Sequence, residues 1–263
     1  VSETRTSGPG PDAEQVIVAR DVAVRFGDRT IFQGVSFHVR RGEVFVILGG
    51  SGCGKSTLLK LMVGLVPPAA GTVSILGRRI DDPDAAVQAA LRRDLGVMFQ
   101  LGAMFGSFTL LQNVMLPLTS FTPLSNEAAE RVARVKLGLV GLADFADFMP
   151  SEISGGMLKR AAIARAMALD PPLLFLDEPS AGLDPITSAG LDALILDLAR
   201  SLGITFVVVT HELQSIMAIA DRVIMLDRAA KGMIAEGDPR QLRETATHPT
   251  VRAFFRREQE KAA

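Results

Sequence analysis

Hydrophobic and polar positions alternate over the first part of the chain. Val16, Val18, Val22 and Val24 keep alternating character, and Val35, Phe37 and Val39 repeat it. A two-residue period places every second side chain on one face, so this segment predicts antiparallel strands with one buried face. At Val44-Phe-Val-Ile-Leu48 the run becomes continuously apolar, as in a strand covered on both faces. A glycine-rich turn follows at once, and then an apolar helix over Ser56–Leu65. Short apolar runs return at Gly96–Phe99, Leu173–Asp177, Phe206–Thr210 and Arg222–Leu226, with helical patterns between most of them. Buried strands alternating with helices predict an α/β fold. Its mainly parallel sheet carries helices on both faces and follows an N-terminal antiparallel β subdomain.

Residues from about Leu101 to Met149 break that rhythm. They offer no good strand, and Asn126–Leu139 reads as a helix with Asn126 as cap and Glu127 and Glu130 in its first turn. A second helix is expected near Leu110–Leu116. The segment is therefore assigned to a helical lobe, about 101–165, inserted in the core. After Asp227 a short strand pair is expected around Lys231–Glu236, then a polar helical stretch from Asp238 to about Glu260. Residues 1–14 are expected to form a flexible tail, 15–239 the main domain and 240–263 a helical extension.

Composition narrows the classes. With 263 residues, 48% hydrophobic and 22% charged, the chain can bury one large α/β core and does not read as disordered. A net charge of −1 gives no electrostatic footprint for gripping nucleic acid. One cysteine, Cys53, excludes an intrachain disulfide and suits a reducing compartment. The longest apolar runs have strand length, short of the roughly 20 residues a membrane helix needs. The Ser/Thr/Gly/Pro-rich start lacks the apolar stretch of a signal peptide. If the chain serves a membrane, the expectation is that it does so through a partner.

The chemistry is concentrated at two strand ends. Gly49-Gly50-Ser51-Gly52-Cys53-Gly54-Lys55-Ser56-Thr57 matches the phosphate-binding pattern G-x-x-x-x-G-K-[ST]. Glycines let the backbone wrap close to phosphate oxygens with its N–H groups inward, and the helix beginning near Lys55 adds its positive end. Lys55 offers a full charge to the β- and γ-phosphates, and the Ser56 hydroxyl can ligate Mg²⁺. The apolar strand Leu173–Asp177 ends in two adjacent carboxylates, Asp177 and Glu178. In a parallel sheet that end faces the ligand crevice. Asp177 is the candidate Mg²⁺ holder, and Glu178 the candidate base for the attacking water. A ligand-free glycine turn and a solvated acid pair are the plainer readings, and the combination displaces both.

Ile153-Ser154-Gly155-Gly156-Met157 opens a further helix, expected to run to about Leu169, and its N–H groups make an anion site. It resembles the signature motif of ABC ATPases, with Met157 where many members carry Gln. In chain order, Gly49–Ser56, Gln100, Ser154–Gly156, Asp177–Glu178, Ser180–Asp184 and His211 are similar to the P-loop, Q-loop, signature, Walker B, D-loop and H-switch of that family. The resemblance covers roughly Val16–Pro239. It implies a P-loop NTPase fold and a head-to-tail homodimer that sandwiches two ATP molecules. Each ATP would lie between one subunit's P-loop and the other's Ser154–Gly156. It further implies that Gln100 senses metal and water, that His211 contacts the γ-phosphate and orients Glu178, and that Asp184 communicates across the dimer. Phe26, before Gly27, stands where the family usually places an adenine-stacking Tyr, and the chain has no Tyr or Trp.

Finer resemblances point to a subgroup. Phe99-Gln-Leu-Gly-Ala-Met-Phe105, Met157, Asp238-Pro-Arg240 and Thr250-Val-Arg-Ala-Phe-Phe255 resemble Mla/Mce-type lipid-transport ATPases. Leu101 departs from the Ser of many members. Such systems imply an integral membrane permease, an MCE lipid-carrier protein and a small accessory cytoplasmic subunit. The ATPase would then sit on the cytoplasmic face of the bacterial inner membrane and serve phospholipid exchange with the outer one. Another cargo, or a soluble ABC ATPase acting on DNA or ribosomes, are the alternatives. The second usually needs a long coiled-coil insertion or two ATPase units, which this chain lacks. Leu101, Ala103, Met104, Phe105 and Phe108, beside Gly102 and Gly106, are expected to line a groove for a permease helix.

Overall fold

The computed structural model describes residues 8–10, 12–100 and 102–256. The expected tail over 1–7, Leu101 and the charged end beyond Arg256 lie outside the described residues. β1 (Gln15–Phe26) and β2 (Arg29–Arg40) form an antiparallel hairpin. β4 (Ala70–Ile75) pairs with the other edge of β1 and β5 (Arg78–Arg79) with β4, completing a four-stranded sheet.

The second sheet has six strands. Their order is β10 (Gly232–Gly237), β9 (Arg222–Asp227), β3 (Val44–Gly49), β8 (Thr205–Val209), β7 (Leu173–Asp177) and β6 (Leu95–Met98). All pairs are parallel except β10 with β9. β3 shows why its sequence lacks alternation. Val44, Val46 and Leu48 enter one buried cluster, and Phe45 and Ile47 enter the other. The second cluster joins the first sheet to α1 (Lys55–Met62). The first holds α3 (Leu110–Phe121), α4 (Asn126–Leu139), α5 (Gly155–Ala166), α6 (Pro185–Leu202) and α7 (Leu213–Ile219). Both faces of β3 thus exclude water, and no position on it can be polar without cost.

The sheet is pinned at its far rim by a buried charge cluster. Arg222 donates to both carboxylate oxygens of Glu43, at 2.8 and 3.0 Å, and also to Glu236. Its guanidinium carbon lies 5.1 Å from the Phe45 ring centroid. A buried cation this well matched joins β2, β3, β9 and β10, and loss of one partner would leave an uncompensated charge.

Several expectations need correction. α1 ends at Met62, because Gly64 turns left-handed with φ 75. α4 is capped by Ser125, whose hydroxyl accepts from the Ala128 N–H, and not by Asn126. α3 runs past Leu116 to Phe121 with Pro117 inside it, and α5 stops at Ala166. The strand pair expected at Lys231–Glu236 is a single strand, β10, whose partner is β9. Beyond Asp238 the chain makes two short helices, α8 (Pro239–Thr245) and α9 (Pro249–Arg256), because Pro249 starts a new one. β4, β5 and α2 (Ala85–Arg93) had no sequence expectation.

Candidate active site

The site is built where β3, β7 and β8 end. Asp177 registers with Val209 and Ile47 with Val209, so the carboxyl ends of the three strands lie side by side. β3 leads into the glycine turn at Gly49, whose φ is 147. A Cβ there would lie 2.3 Å from the Leu226 carbonyl oxygen and 2.7 Å from Cys53 Sγ, so only glycine fits. Gly54, at φ 103, is the α1 N-cap and supplies no side-chain cap. The first turn of α1 carries no acidic residue either, so its leading N–H groups and dipole are available to an anion. Gly50, Ser51 and Gly52 are exposed, while Lys55, Ser56 and Thr57 are half-buried. Lys55 lies across the turn, donating to the carbonyl oxygens of Gly49 at 2.8 Å and Gly50 at 3.1 Å. Cys53 is buried, and burial pushes its thiol pKa up.

Facing this turn are the two carboxylates. Ser56 Oγ donates to Asp177 Oδ1 at 3.1 Å. Asp177 is buried, and desolvation raises its pKa against the opposing effect of the Ser56 hydrogen bond. Glu178 sits left-handed at φ 50, a strained setting for a residue other than glycine. Its N–H donates to the Val209 carbonyl at 2.8 Å, which fixes it beside β8. Its Oε1 lies 2.8 Å from His211 Nδ1, and the His211 side chain is 62% exposed. Its Oε2 is buried and has no hydrogen-bond partner among the described residues. A buried acceptor in that condition calls for a donor such as water.

The Ser56 hydroxyl and the Asp177 carboxylate are hard oxygen donors of the kind Mg²⁺ takes. Among the described residues no cluster of three or more His, Cys, Asp or Glu could hold a metal. The pair therefore fits a cation that takes its remaining ligands from phosphate and water, as Mg²⁺ does in nucleotide sites.

The remaining candidates fall on other elements. Gln100 is exposed just past β6, and its carbonyl accepts from Lys159 Nζ. Arg165 donates to the carbonyls of Ala103 at 2.7 Å and Gly102 at 3.0 Å. Ser154 caps α5, accepting from the Met157 N–H at 3.3 Å. Gly155 is exposed, whereas Gly156 is buried with Thr187 so near that a Cβ would stand 2.3 Å from its methyl. Among the described residues no hydrogen bond or ion pair links Ser154–Gly156 to residues 49–57. Asp184 caps α6, accepting from the N–H groups of Ile186 and Thr187, both at 3.0 Å. Phe26 is 54% exposed at the end of β1.

Sequence reasoning missed Lys159, Arg165 and Asn113. Asn113 is fully buried on α3 and holds Phe105, Phe108 and Thr109 through four backbone hydrogen bonds. A buried polar side chain within an apolar helix was its only signal. Of the apolar segment, Phe105 is 50% exposed, while Met104 packs on the core. Arg165, which holds the Gly102 and Ala103 carbonyls, also lines a cavity of about 390 Å³ with Leu95, Val97, Pro117, Phe121 and Ala166, among others; Phe105 does not line it.

A nucleoside-triphosphate hydrolase is the class that this turn, acid pair and sheet define. Residues 32–181 match the ABC transporter family. The chain is 40% identical to the intermembrane phospholipid transport system ATP-binding protein MlaF of Escherichia coli K12, covering 90% of this chain and 87% of that one. It is also 40% identical to the methionine import ATP-binding protein MetN of Brucella abortus, covering 88% of this chain and 62% of MetN. The dimeric ATP-binding cassette MJ0796, bound to ADP and Pi, superposes with a TM-score of 0.75 at 31% identity, covering 84% of this chain and 98% of that one. The chain therefore belongs to the ABC transporter ATP-binding family, and it is the subunit that binds and hydrolyses ATP. Its two sheets and helical segments are the ABC ATPase fold. No helix among the described residues is long and apolar enough to cross a membrane.

Proposed function

We propose that this subunit powers phospholipid transport between the bacterial inner and outer membranes, working from the cytoplasmic face of the inner one. An integral permease, an MCE lipid carrier and a small accessory cytoplasmic subunit are its proposed partners. The observation that carries the cargo is the run Phe99–Phe105, which with Met157 and the Thr250–Phe255 segment resembles Mla/Mce-type ATPases. The 40% identity to MlaF supports the same reading. Methionine import is the second reading, favoured by MetN's equal identity.

The chemistry follows from the site. Lys55 and the N–H groups of Gly49–Thr57 hold the phosphates, with Phe26 offering its exposed ring to adenine. Ser56 and Asp177 would hold Mg²⁺, assisted by Gln100, and the ion supplies charge neutralisation at the phosphates. Glu178 takes the proton of the attacking water at its unpartnered Oε2, while His211 fixes the other oxygen. Ser154, Gly155 and Gly156 serve the ATP of a second copy in a homodimer, and Asp184 communicates between copies. The dimeric state of MJ0796 supports that arrangement.

The surface around the exposed Phe105 is the proposed seat of a permease helix. Pull-down from detergent-solubilised membranes tests the cargo. Co-purification of an MCE-domain protein with phospholipid supports it, and co-purification of a methionine permease overturns it. Phe105→Glu should release the permease while leaving a folded subunit that binds ATP.

A further inference from the structure

At Gly102 and Ala103 the backbone is unusual. Gly102 and Ala103 are consecutive left-handed residues, at φ 70 and φ 47, a strained setting for alanine. A local bond from the Gly102 N–H to the Phe99 carbonyl, at 2.7 Å, holds the turn from within, and the side chains that hold it from outside come from one helix. On α5, Lys159 donates to the Gln100 carbonyl, and Arg165 spreads its two Nη atoms over the carbonyls of Gly102 and Ala103. Lys159 is 8% exposed, a costly place for an ammonium. Asp177 and Glu178 lie near enough to favour its charge, although burial dominates and lowers its pKa. The Gln100 side chain, by contrast, is exposed. The two cations therefore grip the backbone that carries it and leave the amide free.

We propose that Lys159 and Arg165 are positioning residues for ATP hydrolysis. Acting through the carbonyls of Gln100, Gly102 and Ala103, they lock the placement of Gln100 to that of α5, and so to the Ser154 turn from which α5 begins. A displacement of that turn on meeting nucleotide is passed along one rigid helix to Gln100, so that hydrolysis depends on both ends of α5 being seated. The inference rests on the reading that Gln100 serves hydrolysis.

The test is steady-state ATPase of the full chain, with ATP binding and denaturation curves measured beside it. Lys159→Met keeps the stem and removes the charge, and Arg165→Lys keeps the charge but not the two-carbonyl fork. Each should lower kcat by about 10–100-fold and leave KM within about three-fold. Lys159→Arg should recover most of the loss. The decisive measurement is a double-mutant cycle. In a Gln100→Ala background either substitution should lower kcat by less than about two-fold further, because its route is already cut. A merely structural contact would lower both backgrounds equally, and that result overturns the proposal. If Gln100→Ala alone leaves kcat unchanged, the role of Gln100 and this inference both fall. If Gln100→Ala is slow while Lys159→Met and Arg165→Lys match the parent, only the inference falls. Should Lys159→Met fail to fold, Arg165→Lys carries the same cycle.

Discussion

Two glycine-bearing helix starts in this molecule look alike in sequence and differ in completeness. The α1 start has no side-chain cap, and Lys55, Ser56, Asp177, Glu178 and His211 stand around it. The α5 start is capped by its own Ser154, and no charged side chain of Ser154–Met157 accompanies it. One gathers its cation, its hydroxyl and its acid pair from a single chain. The other offers backbone N–H groups and one hydroxyl, half of a contact. A helix terminus takes its meaning from the charges the tertiary fold delivers to it, more than from the motif that opens it.

The sharpest way to break this contrast is at the complete site. Glu178→Gln should lower kcat by about 10²–10⁴-fold with ATP binding retained, read by ATPase assay beside equilibrium nucleotide binding. A rate within a few-fold of the parent would remove Glu178 as the base.

The same alanine placed in both turns separates them next. Gly49→Ala drives a Cβ onto the backbone of Leu226 at φ 147, and should cost about 2–4 kcal/mol in a denaturation curve. Gly156→Ala meets one methyl of Thr187, which can rotate, and should cost about 1 kcal/mol. Equal costs would mean the two turns are equally constrained.

Asp192, buried on α6, gives a pH signature. Burial pushes its pKa up to about 6, Glu212 adds to the rise, and Ser215 opposes it without a hydrogen bond of full geometry. The folded value exceeds the ordinary 3.8, so the folded state holds the proton more tightly. Stability is then highest below about pH 4, falls as pH rises towards 6, and is level above, a loss of about 2–3 kcal/mol. Asp192→Asn should recover that amount at pH 8 and nothing at pH 4. A constant difference between the two proteins at every pH would show that another group titrates.

The smallest effect concerns Cys53. Its position inside the phosphate turn suggests a thiol that ATP protects, yet it is buried with a raised pKa. Maleimide should therefore label the native chain slowly with or without MgATP, and at the unfolded rate in denaturant. Fast native labelling would show that the turn opens.

Much of this was legible in the residues, for physical reasons. β3 and β7 are runs buried on both faces, and burial of that kind leaves no freedom for polar positions. Fixed spacing made Gly49–Thr57 readable, because the phosphate wrap needs glycines at set steps. β4, with its Ala-Gly-Thr start, carries little apolar signal of its own and is a strand because β1 has a free edge for it. Ser125 outcompeted Asn126 as a cap through one hydrogen bond. Lys159 and Arg165 read as the polar face of a helix, and only folding turns them inward to the carbonyls of Gln100, Gly102 and Ala103.

The left-handed backbone of Glu178 has a consequence for how this protein can be altered. At φ 50 glycine or asparagine would sit more comfortably than glutamate, so a screen that rewards heat resistance alone is drawn towards replacing it. On the proposed role of Glu178 as the base, that route to a sturdier subunit passes through an inactive one. Any campaign to harden this molecule must select for turnover at every round.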